Sequence, residues 1–214
     1  MYRENPFHSM KHLDGSLEKK DVVSLDASLD SAKKIERLGG GQTASVWKME
    51  TEIDHKPFYF ARKQFQSGNR FQITREQEIL QAVQGIEGVP KLLQAKETWI
   101  DMELVSGISL GKLPPGKRRE IPRSSVLDLF HSLVCIASRN VVNSDLNVNN
   151  ILYDNDTKKL SLIDFGGAVL HKEGEPKRDQ LKFMLLGLKK LFPGFSEFDS
   201  FYERVVKERE KEVN

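Results

Sequence analysis

The sequence predicts an α+β chain in two lobes, a small antiparallel sheet with one helix followed by a short helical lobe. Three observations predict it. Strand-like runs broken by glycine turns dominate from Lys33 to Val105. Helical periodicity dominates from Ser124 onward. Strands followed by helices, rather than strict alternation, argue for segregated layers.

Each element has a local cause. "KKIERLGGGQTASVWKME" reads as strand, glycine turn and strand, and "KPFYFARKQF" alternates as a further strand. "ITREQEILQAVQG" has helical spacing and ends at Gly85. "VPKLLQAKETWIDMELV" supplies two strands. "SSVLDLFHSLVCIASRN" is an amphipathic helix with Ser124 as its expected cap. A helix near Arg178 to Leu191, a break at "FPGF" and a charged helix near Glu197 to Lys211 complete the chain. Residues 1–32 are rich in Ser, Asp and Lys without a sustained apolar period, so a weakly ordered segment is expected there. The globular part is expected over 33–214, divided near 105 and 106.

Composition narrows the function classes. The 214 residues are 38% hydrophobic and 30% charged, with a net charge of +2, which suits one globular domain with a tail. No apolar run approaches the ~20 residues of a membrane-spanning helix. The N-terminus lacks the apolar stretch of a classical secretory signal. Balanced charge gives no reason to expect a nucleic-acid partner, and "GKRRE" reads as a solvated loop. The single cysteine, Cys135, excludes an intrachain disulfide and is expected as a small core residue.

Chemistry-bearing residues recur in order along the chain. "LGGGQTASV" carries Gly39 and Gly41, with Ala44 and Val46 after them. Glycines there let backbone amides approach phosphate oxygens. Lys63 closes an apolar strand, and the next helix offers two carboxylates, Glu76 beside the apolar stripe and Glu78 as the alternative partner. "NSDLNVNNILYDNDTKKLSLIDFGG" then sets Asp145, Asn150 five positions later, and Asp164 around two strand-like pieces. Acids and amides bunched beside strands are costly to bury unless something binds them, such as a divalent cation with a polyphosphate.

These motifs resemble those of protein kinases: the glycine loop, the strand lysine with its helical glutamate, an Asp–Asn catalytic loop and Asp164-Phe165-Gly166. The segment "DLNVNNILYD" followed by "IDF", and the short chain after it, resemble the compact secreted bacterial effector kinases of the NleH, OspG and HopBF kind. The resemblance implies a minimal bilobal kinase fold using ATP and Mg²⁺. It implies that Gly39, Gly40, Gly41, Gln42, Thr43 and Ala44 cover the phosphates. Lys63, aimed by Glu76, would hold the α- and β-phosphates. Val46, Ala61 and Leu152 would sandwich adenine, Met102 would back its pocket, and the Glu103 carbonyl and Val105 amide would bond its edge. Asp145 would take the acceptor proton, with Asn150 and Asp164 as metal ligands. It also implies secretion into the host cytoplasm, with the N-terminal segment as a secretion signal, and a monomer acting on a host protein. An Hsp90-type chaperone and inflammatory signalling with ubiquitin machinery remain open as targets.

Departures from the kinase pattern shape the expectation. Asn143 and Ser144 stand where kinases carry His and Arg, and that arginine normally receives an activation-loop phosphate. Only 13 positions separate Gly166 from Asp179, and no A-P-E motif appears. Activity independent of loop phosphorylation is expected. Asn147 replaces the usual lysine, which leaves the acceptor type open. Two other classes compete with a protein kinase: a small-molecule kinase acting on a sugar, lipopolysaccharide or aminoglycoside, and a non-catalytic pseudokinase.

Overall fold

The computed structural model describes residues 26–66, 69–171, 177–195, 197–200 and 203. Its chain order is β1 (Lys33–Gly40), β2 (Ala44–Ile53), β3 (Lys56–Phe65), α1 (Arg70–Ala82), β4 (Leu92–Ala95), β5 (Trp99–Glu103), β6 (Ile108–Ser109), α2 (Pro115–Arg119), α3 (Arg123–Ser138), β7 (Val141–Asn143), β8 (Ile151–Asp154), β9 (Lys159–Leu162), β10 (Ala168–Leu170) and α4 (Lys177–Leu191). This is the expected mixed fold, with an antiparallel five-stranded sheet and a helix ahead of a short helical region.

The sheet runs β1-β2-β3-β5-β4. β2 and β3 pair without interruption from Ala44↔Phe65 to Ile53↔Lys56. Asp54 and His55 close that hairpin at φ 49° and 59°. Two left-handed residues give the turn a twist that matches the flanking strands. Alternation then sends Ala61 and Phe65 to the main core, while Phe58 and Phe60 join a second cluster with Leu29 and Met49. β3 is thus buried on both faces, and Lys63 shares a face with Ala61.

The second face holds a finding that its polar sequence conceals. Arg62 donates to both carboxylate oxygens of Asp101, each at 2.7 Å, and Asp101 is fully buried. Gln94 donates to the same carboxylate at 2.7 Å. Arg62 also donates to the Leu29 carbonyl at 2.8 Å. Residues 26–30, expected with the weakly ordered segment, form a helical turn that buries Leu29 completely. Thr51 holds the turn by donating to the Ser28 carbonyl at 2.8 Å, and Lys96 pairs with Asp30 at 3.2 Å. Local composition did not reveal the docking because its partners lie on β2, β3 and β4. Residues 1–25 lie outside the described residues.

Two small sheets, β6-β8-β9 and β10-β7, carry the loops of the second region, and α3 packs against α4 and β9 beneath them. Several boundaries differ from expectation. α1 begins at Arg70 and ends at Ala82, with the Arg139 guanidinium donating to the Ala82 and Gln84 carbonyls. Ser124 does not cap α3, since Pro122 occupies the cap position without a side-chain hydrogen bond. Proline's fixed φ leads into the first turn there instead. Cys135 is half-buried rather than core, on the wall of a concavity of about 370 Å³ that shares no residue with the site below. The helix expected over 197–211 falls mostly outside the described residues, although Phe198 is buried against Phe130. Among the described residues no helix is long and apolar enough to cross a membrane.

Candidate active site

β3, α1 and the β9–β10 link deliver three charged side chains to one point. Lys63 Nζ lies 2.8 Å from both carboxylate oxygens of Glu76 and 2.9 Å from Asp164 Oδ1. Glu76 is buried because Ile73, Ile79 and Leu80 on the same helix turn it into the core. Glu78, the alternative partner, is exposed. A lone buried ammonium would lose its proton, but here burial is outweighed by the Glu76 and Asp164 carboxylates, which lift the Lys63 pKa above its ordinary value. At Glu76 burial pushes the carboxyl up while the ammonium pulls against it. Burial would raise Asp164 too, but the Lys63 charge and the Gly166 N–H bring it below the usual carboxylate range.

The link after Asp164 runs so close that an added side chain would press on the charged cluster. A Cβ at Gly166 would sit 3.2 Å from both Lys63 Nζ and Asp164 Oδ1, and one at Gly167 would sit 3.0 Å from the Asp145 Cβ. Gly166 N–H donates to Asp164 Oδ1 at 2.9 Å. That oxygen is thereby shared with Lys63, and among the described residues Oδ2 could take a cation.

Asp145 is held through amides. Asn147 Nδ2 donates to its Oδ1 at 2.8 Å, and Asn150 Nδ2 donates to its Oδ2 at 3.0 Å. Asn147 cannot turn freely, because its own Oδ1 accepts the Asn149 N–H at 2.8 Å. With Nδ2 of Asn150 committed to Asp145, its Oδ1 is the atom left to bind a metal. Asp164 and Asn150 therefore suit Mg²⁺, which keeps several waters and takes one or two carboxylates beside substrate phosphates.

Asn143, which departs from the kinase pattern, links the site's two loops. Fully buried, it accepts the Asp145 N–H at 2.9 Å and donates to the Asp164 carbonyl at 2.8 Å. It joins the two acidic loops directly. A buried amide needs such partners on both ends, but no spacing rule tells which ones it finds.

Of the residues assigned to the nucleotide, Val46, Ala61, Met102 and Glu103 lie on the five-stranded sheet that carries Lys63, and Leu152 lies on β8. Val46 pairs with Lys63 and with Gly39 across the sheet, and Ala61 pairs with Met102. Ala61 and Met102 are buried, and Val46 and Leu152 are half-buried. Glu103 ends β5 with its N–H on the Lys91 carbonyl at 2.8 Å, and Val105 follows in the connection to β6. In the glycine turn, a Cβ at Gly39 or Gly41 would meet nothing. The Gly41 N–H donates to the Ala44 carbonyl at 2.9 Å, closing the turn over exposed Gln42 and Thr43. Gly40 pairs with Ser45. Ala44 is buried in the core, so the third-glycine place is occupied by packing.

Comparison with known proteins is consistent with this geometry. A family model described as the RIO domain matches residues 23–182. Cyclin-dependent kinase 14 of Oryctolagus cuniculus is 29% identical over 149 residues, covering 65% of this chain and 31% of the relative. The same-named proteins of Mus musculus and Homo sapiens are each 28% identical over the same length and coverage. The chain thus spans about 31% of the length of these curated relatives.

Proposed function

Because the chain belongs to the RIO-domain family, which is protein-kinase-like, we propose that it transfers the γ-phosphoryl group of ATP to a protein hydroxyl. The observation that carries this reading is Lys63 bridging Glu76 and Asp164, with Asn143 tying Asp164 to Asp145. Lys63 holds the phosphates, and its carboxylate partners keep it charged. Asp145 accepts the proton of the attacking hydroxyl as the new O–P bond forms, and ADP departs with the electrons of the broken bond. Mg²⁺ bound by Asp164 and Asn150 would offset charge on the bridging phosphates. Asn147 supports Asp145 in this reading, so the charge at the γ-phosphate rests with Lys63 and the metal.

We place the acceptor on a host protein, with the chain secreted from a bacterium, because the catalytic segment resembles the effector kinases. Ubiquitin machinery stands among the partners on the same ground. A small-molecule kinase is the second reading, favoured by Asn147 in the lysine position and by the short segment after Gly167.

The test is a labelling screen. Wild-type and Asp164→Ala protein are incubated with eukaryotic lysate and labelled ATP. A dominant band that depends on Asp164 supports the protein-kinase reading. Label entering only sugars or aminoglycosides supports the second, and no label in either overturns both. Calorimetry with and without chelator checks the metal: equal ATP affinity would remove Asn150 and Asp164 from that role.

A further inference from the structure

Two side chains outside the assigned machinery grip consecutive backbone carbonyls after Asp164. Arg75 precedes Glu76 on α1. One turn of helix therefore sends Glu76 to Lys63 and Arg75 to the Ala168 carbonyl, with Nε at 3.1 Å and Nη2 at 2.6 Å. Ser144 precedes Asp145, and its Oγ donates to the Gly167 carbonyl at 2.6 Å. Beyond them β10 pairs with β7, starting at Ala168↔Asn143. Each gripping residue is thus the chain neighbour of a site residue, and the gripped segment begins at Asp164.

Kinases that depend on loop phosphorylation order this segment with a phosphate received by arginine. In this chain the acceptors are main-chain carbonyls, present whether or not anything is phosphorylated. The planar guanidinium directs two N–H groups at one oxygen, which fixes direction as well as distance. Rotation of α1 away from the sheet would break the Arg75 contact and the Lys63–Glu76 pair together.

We infer that Arg75 and Ser144 are positioning residues that form a phosphate-independent lock on residues 164–170, coupling the orientation of α1 to the loop that carries Asp145. The kinetic consequence rests on the kinase reading above; the structural one does not.

The experiment uses the full chain with Arg75→Ala, Arg75→Lys and Ser144→Ala, each first checked for a cooperative thermal transition. Amide hydrogen exchange is followed at Phe165 to Leu170, and kcat and KM for ATP are measured on phosphatase-treated protein. Arg75→Ala should exchange faster in that segment and lose kcat by about tenfold, with a smaller change in KM. Arg75→Lys, which keeps a charged donor, should recover part of both. Ser144→Ala should speed exchange near Gly167 and lower kcat less, and it serves alone if Arg75→Ala fails to fold. Exchange identical to wild type in the variants would overturn the lock, as would faster exchange with undiminished kcat. If wild type transfers no phosphate, the kinase reading fails on its own, and the exchange result still decides whether the lock exists.

Discussion

Asn143 Nδ2 donates to the carbonyl of Asp164 at 2.8 Å, across 21 residues of sequence, while its side-chain Oδ1 takes the Asp145 N–H. One buried amide therefore sets the spacing of the two acidic loops. Replacing it by alanine leaves the Asp145 N–H and the Asp164 carbonyl, both partly buried in these bonds, without this partner. Asn143→Ala should cost about 1–3 kcal/mol in a denaturant titration and lower kcat as well. Asn143→Asp, which keeps the acceptor for Asp145 but turns a buried carboxylate oxygen towards the Asp164 carbonyl, should cost at least as much.

The two aspartates should separate by kinetics. Asp145→Ala should lower kcat by roughly 10²-fold or more with ATP affinity nearly unchanged, because the group acts on the acceptor proton. Asp164→Ala should weaken ATP·Mg²⁺ binding and kcat together. An Asp145→Ala enzyme with normal kcat and lost ATP binding would refute the assignment.

Glu76 and Glu78 should not be interchangeable. Glu78 is exposed, while Glu76 is buried with both oxygens on Lys63. Glu78→Ala should leave phosphoryl transfer at the wild-type rate. Glu76→Ala leaves the buried ammonium with Asp164 as its one carboxylate partner of the two and should reduce turnover towards that of Lys63→Ala, measured with the same labelled-ATP assay.

Asp164 predicts a pH dependence. Lys63 and the Gly166 N–H hold its folded-state pKa below the unfolded value, against the burial that would raise it. A depressed carboxyl pKa contributes stability that is present above the unfolded pKa, about 4, and is lost as pH falls through the folded value. The difference in unfolding free energy between wild type and Asp164→Asn should therefore shrink as pH drops below about 4. A difference that grows there would contradict the sign. Lys63 acts at the other end: its raised pKa holds stability below the unfolded amine value and releases it at strongly alkaline pH.

Arg62 should matter to stability from a place that touches no substrate. Its removal leaves Asp101 buried without its cation, a change worth about 3–5 kcal/mol. Arg62→Ala should lower the denaturant midpoint sharply and expose the 26–30 turn to proteolysis. A midpoint unchanged from wild type would show that the pair is dispensable.

The kinase-like fold and the candidate residues of its loops were legible because those signals are local. A glycine turn, an Asp and an Asn five positions apart, and Asp-Phe-Gly each say what the nearby backbone can present. Alternation in "FYFARK" and the stripe through Ile79 and Leu80 likewise announced a strand and a helix. What tertiary structure decided was which polar groups meet. Lys63 and Asp164 are 101 residues apart, and Arg75 and Ala168 are 93 apart. Helical spacing left Glu76 and Glu78 as rivals, and only the packing of α1 against the sheet buried one and exposed the other. Polar-looking residues 26–32 hid Leu29, because what covers the outer face of the sheet depends on the Arg62–Asp101 pair on β3 and β5. Local pattern constrains the direction a side chain leaves the backbone, whereas its partner depends on where the rest of the chain has been brought.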